Sequence, residues 1–213
     1  HPYEDNNNPR HSTSSVVLSK RAGPRSPNVN SNIHLLFDLD GPILDVAEKY
    51  YRVYADLVLQ YGGRPLSKAE YWKNKRRRMP DHEILRLSEI HDKGEEFNEL
   101  RRLRIETEKY LRLDRVWPGV AGQLTALAKV TVLVLVTLRS SASALQGQLE
   151  RLSLRPLFNR ILSAPGDSLG MDRSAVKVGL VRQAFGSDRL SGWFVGDTET
   201  DIRAGQALDL KTV

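Results

Sequence analysis

Three apolar runs in this chain stop abruptly at a hydroxyl or carboxylate residue, and helical stretches separate them. IHLLF (33–37) ends at Asp38, TVLVLV (131–136) ends at Thr137, and WFV (193–195) ends at Gly196-Asp197. A short run without polar alternation fits a strand buried on both faces, the kind found in parallel sheets. Helical patterns are expected over 120–128, over 143–152, around Val176, Leu180, Val181 and Phe185, and over 198–207, with further short strands at 160–163 and from 210. Strands alternating with helices require right-handed crossovers, so the fold class is α/β, a doubly wound parallel sheet. No internal repeat is visible.

The alternation is interrupted once, after the first strand. From Val46 to about Leu113 no strand is expected, only helical spacing. Tyr50, Tyr54, Leu57, Val58 and Tyr61 share one face of a first helix that Gly62-Gly63 ends. Ser67 and Glu70 form a capping box for a second helix, Pro80-Asp81 starts a third, and Phe97, Leu100, Leu103, Tyr110 and Leu111 mark a fourth. Residues 33–45 and 117–213 are therefore expected to form an α/β core, 46–116 an inserted α-helical cap domain, and 1–32, rich in Asn, Ser, Pro and Arg, a disordered tail.

Composition narrows the function classes. No cysteine is present, which excludes thiolate metal sites and cysteine nucleophiles and fits a reducing compartment, so a cytoplasmic location is expected. Organellar targeting by the Ser- and Arg-rich tail is disfavoured by Glu4 and Asp5, and no apolar run approaches the roughly 18 residues of a membrane helix. The net charge is +6, but without the tail 28 basic residues face 24 acidic ones, or +4. A start at His1 and a stop at Val213 inside an expected strand suggest a piece of a longer protein.

Open α/β sheets place ligands at the carboxyl ends of their strands, and four polar signals fall there or between. In Asp38-Leu39-Asp40-Gly41 two carboxylates leave a strand on the same side, and glycine permits a sharp turn. Turns favour Asp and Gly anyway, so this signal alone is modest. Thr137 could donate its hydroxyl to a phosphate oxygen or be an ordinary strand residue. Lys177, the one lysine between Lys129 and Lys211, suits phosphate as a point charge but equally suits a solvated helix face, with Arg173 as a rival. Gly196-Asp197 with Asp201 one helical turn later places acids in the same cleft or simply at a helix start.

Taken in order, Asp-x-Asp-Gly, a strand-terminal Thr, Lys, and Gly-Asp-x-x-x-Asp resemble the haloacid dehalogenase superfamily of phosphatases and phosphotransferases, over about residues 33–213. The insertion after the first motif resembles the helical cap of its phosphoglycolate-phosphatase-like branch. This resemblance implies a Mg²⁺-dependent phosphomonoester hydrolase acting on a small phosphorylated metabolite. Asp38 would be the nucleophile, forming an aspartyl-phosphate, and Asp40 the general acid and base. Thr137 and Lys177 would hold the phosphoryl oxygens. Asp38, the main-chain carbonyl of Asp40 and Asp197 would hold the metal, with Asp201 in support. Arg139 is placed either as a contact to substrate anions or as a surface arginine, and Asp45 as a hinge or helix-capping residue. Pro42 departs from the Thr or Val usual after the motif's glycine and removes a backbone donor. The presence of Asp40 argues against a dehalogenase.

A phosphomutase or a pyrophosphatase would use the same groups, and the motifs do not separate them. From another class, a non-catalytic binding protein could use the basic run Tyr71–Arg78, where Lys73, Arg76 and Arg77 share a helical face. A solvated face or a clamp on a substrate's second acidic group explains that run as well, and a nucleic-acid partner is not expected. The oligomeric state is not legible.

Overall fold

The computed structural model describes residues 17–18, 33–164, 170–186 and 188–213. Six strands form the main sheet: β1 (Val17–Leu18), β2 (His34–Phe37), β5 (Val132–Thr137), β6 (Arg160–Ser163), β7 (Gly192–Val195) and β8 (Lys211–Thr212), in the order β1-β6-β5-β2-β7-β8. Two further strands, β3 (Leu44–Asp45) and β4 (Arg115–Val116), pair antiparallel as a separate ribbon. All pairings among β2, β5, β6, β7 and β8 are parallel. Only β1 runs the other way, Val17 against Leu162.

Alternating side chains of the central strands feed two cores. On one face Leu35, Phe37, Leu133, Leu135 and Ile161 pack against Leu124 of α6 (Val120–Leu127) and Leu145 and Leu149 of α7 (Ala142–Arg151). On the other, Leu36, Val134, Val136, Leu162 and Phe194 meet Val176, Leu180 and Val181 of α8 (Arg173–Phe185) and Ala204 of α9 (Glu199–Ala207). Helices cover both faces, as the alternation of the sequence requires. The β-branched residues of β5 suit this environment because their restricted rotamers pack well on a pleated surface.

Between β3 and β4 lie α1 (Ala47–Gln60), α2 (Lys68–Arg76), α3 (Asp81–Leu87), α4 (Gly94–Ile105) and α5 (Glu108–Leu111). They carry a core of their own, including Val53, Leu57, Tyr71, Ile84 and Phe97. The Ser67–Glu70 capping box opens α2, and Gly62, at φ +77°, follows α1. Asp45 accepts from the Ala47 amide at 2.9 Å and so helps start α1.

Three features differ from the sequence expectation. The stretch anticipated as one helix from Phe97 to Leu111 is broken into α4 and α5, because the Thr107 hydroxyl donates to the Arg104 carbonyl at 2.7 Å and Thr107 is extended. The β3–β4 ribbon carries no periodic signal, being two residues per strand. Val17 and Leu18, inside the tail expected to be disordered, form β1; the other residues of 1–32 lie outside the described ones.

Candidate active site

β2, β7 and α8 bring the first, third and fourth motifs to one point. The Asp38 amide donates to the Val195 carbonyl at 2.9 Å, extending the β2–β7 pairing by one residue, and its Oδ1 accepts from the Leu39 amide at 2.8 Å. Lys177 of α8 reaches under the sheet edge, fully buried, with Nζ 3.1 Å from Asp38 Oδ2 and 2.5 Å from Asp201 Oδ1. The other Asp201 oxygen accepts from the Thr198 amide at 3.1 Å and its hydroxyl at 2.6 Å. Oxygens of Asp38, Asp197 and Asp201 all lie within 4.8 Å of one another.

Two glycines make this crowding possible. A Cβ on Gly41, whose φ is +107°, would sit 2.2 Å from the Asp197 carboxyl carbon, and one on Gly196 would sit 2.3 Å from that of Asp201. The glycines of both motifs are therefore steric necessities of close approach to carboxylates, in addition to the turn at Gly41.

Three carboxylates share this corner with one ammonium, Lys177. Burial is the main cause that lifts Asp38 from its ordinary 3.8 to about 6; Lys177 opposes the rise and Asp201 adds to it. Burial also raises Asp197, with Asp201 and Asp40 contributing. With all three ionised the corner holds two negative charges in excess, among the described residues, which a divalent cation would balance. The oxygen-only donor set suits a hard cation such as Mg²⁺. Asp38, Asp197 and Asp201 are the carboxylates that could hold it, and Asp38 and Asp201 each already meet Lys177 and a backbone amide.

Asp40 faces a different set of groups. Arg139, two residues past the end of β5, grips it with Nε to Oδ2 at 3.0 Å and Nη2 to Oδ1 at 2.7 Å. The same Nη2 lies 3.1 Å from Asp114 Oδ2, an oxygen that also accepts from Lys49 Nζ at 2.8 Å and Gln148 Nε2 at 2.7 Å. Lys49 Nζ stands 3.6 Å from Asp40 Oδ2. The result is a buried, charge-balanced cluster of two carboxylates and two cations. Burial alone would raise Asp40, but Arg139 and Lys49 outweigh it and hold the carboxyl below its ordinary range. Burial likewise lowers Lys49, with Asp40 and Asp114 pulling it back.

The structure thus brings Asp38, Lys177, Asp197 and Asp201 together and sets Asp40 with Arg139 beside them. Thr137 is buried at the end of β5, its hydroxyl oxygen 3.3 Å from the Arg139 amide. Arg139 is buried, so the surface reading is corrected; a carboxylate partner occupies its fork. In the basic run, Lys73, Arg76 and Arg77 are exposed, while Lys75 pairs with Asp81. Sequence reasoning missed Lys49, Asp114 and Trp117. Lys49 continues the Val53–Leu57 stripe at a spacing of four, a lysine where an apolar residue would be expected, and that was its available signal. Asp114 had none. Trp117 donates its indole N–H to the Gly41 carbonyl at 2.7 Å.

The parallel sheet thus gathers a constellation of acids, one lysine and two close-packed glycines at the carboxyl ends of its strands. Residues 35–213 match the family model described as haloacid dehalogenase-like hydrolase, and the chain belongs to that family. No curated protein sequence matches it. Among solved structures it is similar to a candidate phosphatase from Clostridium difficile (18% identity, TM-score 0.66, covering 88% of this chain and 85% of that one). It is also similar to a candidate hydrolase of the same superfamily from Bacillus subtilis, bound to magnesium (20%, 0.62, 85% and 86%). A third is a candidate beta-phosphoglucomutase from Thermotoga maritima (20%, 0.57, 84% and 83%). Among the described residues no helix is long and apolar enough to cross a membrane.

Proposed function

We propose that this hydrolase is a Mg²⁺-dependent phosphatase that cleaves a small phosphorylated metabolite through an aspartyl-phosphate on Asp38. The observation that carries the reading is the separation of two carboxylates two residues apart into unlike surroundings. Asp38 sits with Lys177 among acids that call for a divalent cation, while Asp40 is held apart by Arg139 and Lys49. The shifts of the metal-free protein, Asp38 up and Asp40 down, run opposite to a nucleophile and an acid, so these roles require a cation beside Asp38 and release of Asp40 from Arg139.

Asp38 and Asp197, with the main-chain carbonyl of Asp40, would hold magnesium, and Asp201 would keep Lys177 in place. When bound, the ion supplies positive charge at the phosphoryl oxygens. An Asp38 oxygen attacks phosphorus as the bond to the leaving oxygen breaks, with Lys177 and the Thr137 hydroxyl offsetting negative charge on the transferring group. Asp40 delivers a proton to the leaving oxygen and later takes one from the water that cleaves the acyl phosphate. Paired with Arg139, Asp40 is an acceptor and not a donor, so proton delivery requires that it part from the guanidinium.

The five-helix insert serves as a cap. Its Glu106 accepts from the amides of Ser140 at 3.0 Å and Ser141 at 2.7 Å, in the loop just past Thr137, which seats it on the core. The test is phosphate release from an aryl phosphate and from sugar, glycolate and nucleotide phosphates, with Mg²⁺ titrated and Asp38→Asn in parallel. Magnesium-dependent release that the variant lacks supports the reading; no release from any ester rejects it. A phosphomutase would instead return the phosphoryl group to a second sugar hydroxyl.

A further inference from the structure

Trp117 stands at the point where the chain returns from the helical insert, immediately after β4. The residue is 43% exposed, yet its one side-chain polar atom is engaged across 76 residues, donating to the Gly41 carbonyl at 2.7 Å. Its own amide donates to the Ile43 carbonyl at 3.1 Å. These two bonds bracket Pro42, which has no N–H to offer, while the Gly41 amide donates to the Leu44 carbonyl at 3.0 Å. Gly41 is therefore pinned on both its peptide groups.

The pinning matters because Gly41 and Asp197 are in mutual contact so close that not even a methyl group fits between them. A drift of Gly41 toward Asp197 has nowhere to go without displacing the carboxylate, and a drift away opens the acidic corner. A tryptophan kept for burial would hide its ring, whereas this one leaves much of its face in solvent and uses its N–H. We propose that Trp117 is a positioning residue for the acidic corner: through the Gly41 carbonyl it fixes the turn against which Asp197 rests, and so fixes the spacing of Asp197 and Asp38. This rests on the phosphatase reading only for what the corner is used for.

The test uses the full chain with Trp117→Phe, which keeps a ring and loses the donor, and Trp117→Ala, which loses both. Magnesium chloride is titrated by calorimetry, and exchange of the Gly41 amide is followed by NMR. One lost hydrogen bond predicts Mg²⁺ binding about three- to tenfold weaker in Trp117→Phe, and a kcat on phenyl phosphate lowered by a similar factor at saturating Mg²⁺. The thermal midpoint should be nearly unchanged and Trp117→Ala no worse than Trp117→Phe. Gly41 amide exchange is expected to quicken by at least about threefold in both. Wild-type Mg²⁺ affinity in Trp117→Phe overturns the proposal, as does a loss confined to Trp117→Ala with a falling midpoint, which marks a packing role. If the wild type binds Mg²⁺ but hydrolyses no ester, the phosphatase reading fails while the affinity comparison still decides this one. If it binds no Mg²⁺, unchanged Gly41 exchange overturns the proposal and faster exchange upholds the pinning.

Discussion

Arg139 and Asp40 meet fork to fork, Nε on Oδ2 at 3.0 Å and Nη2 on Oδ1 at 2.7 Å, though 99 residues separate them. The guanidinium also touches Asp114, so one side chain of the core joins the first motif to the end of the insert. Planar, two-point recognition of a carboxylate is what arginine does and lysine does not.

Arg139→Met leaves Asp40 and Asp114 with Lys49 as their remaining cation in the cluster. Breaking a buried ion network on one side costs about 3–5 kcal/mol, and urea unfolding should show a loss in that range. Arg139→Lys, which keeps the charge and loses the fork, should lose less. A loss under about 1 kcal/mol for Arg139→Met would mean the cluster is solvated in practice.

Gly41→Ala should fold and fail at the site. The added carbon meets the Asp197 carboxyl at 2.2 Å, and the φ of +107° is one that alanine resists. We expect a cost of about 1–3 kcal/mol in stability and loss of Mg²⁺-dependent turnover. Turnover at the wild-type rate would show that the turn relaxes freely.

Asp38 gives a pH signature in the metal-free protein. Its carboxyl, raised to about 6 chiefly by burial against Lys177's opposing pull, binds its proton more tightly in the folded chain than in the unfolded one. Its contribution favours the fold below the unfolded value of 3.8 and is lost as pH rises through 6. Unfolding in urea with chelator present should therefore show wild type losing roughly 2 kcal/mol relative to Asp38→Asn between pH 4 and pH 7. Parallel curves would contradict the buried state of this carboxyl.

Adding Mg²⁺ should reverse that trend at pH 7. A ligand that binds only the folded state at a hundred times its Kd stabilises by about 2.7 kcal/mol, visible as a raised thermal midpoint. Asp197→Asn should blunt the rise. An equal rise in both proteins would place the ion elsewhere.

Much of this site was legible because its residues sit where strands end. Asp38, Thr137 and Asp197 each close an apolar run, and a run that stops at a polar residue marks itself in one dimension. Lys177 was visible only through the order of motifs. Asp114 was not, Lys49 showed only as a lysine in an apolar stripe, and Arg139 was read as a candidate beside Thr137 but not as the partner of Asp40: these pairings depend on which segments the insert brings side by side, and pairs 65 and 25 residues apart leave no local pattern. The same holds for the β3–β4 ribbon, too short for a period, and for Thr107, whose hydroxyl breaks a helix that the apolar spacing alone would continue.

That ribbon has a consequence for how the fold accepts change. Leu44 pairs with Val116 and Asp45 with Arg115, so the chain departs for the helices and comes back at neighbouring positions on one ladder. The two ends of the excursion are set by a handful of backbone bonds, while Lys49, Glu106 and Asp114 inside it tie it to Asp40, Arg139 and the loop past Thr137. An excursion of another length or shape that kept Lys49 and Asp114 at its two ends could be spliced between the same two rungs with the sheet left as it is, which makes the outer helices a replaceable cassette and the ribbon its socket.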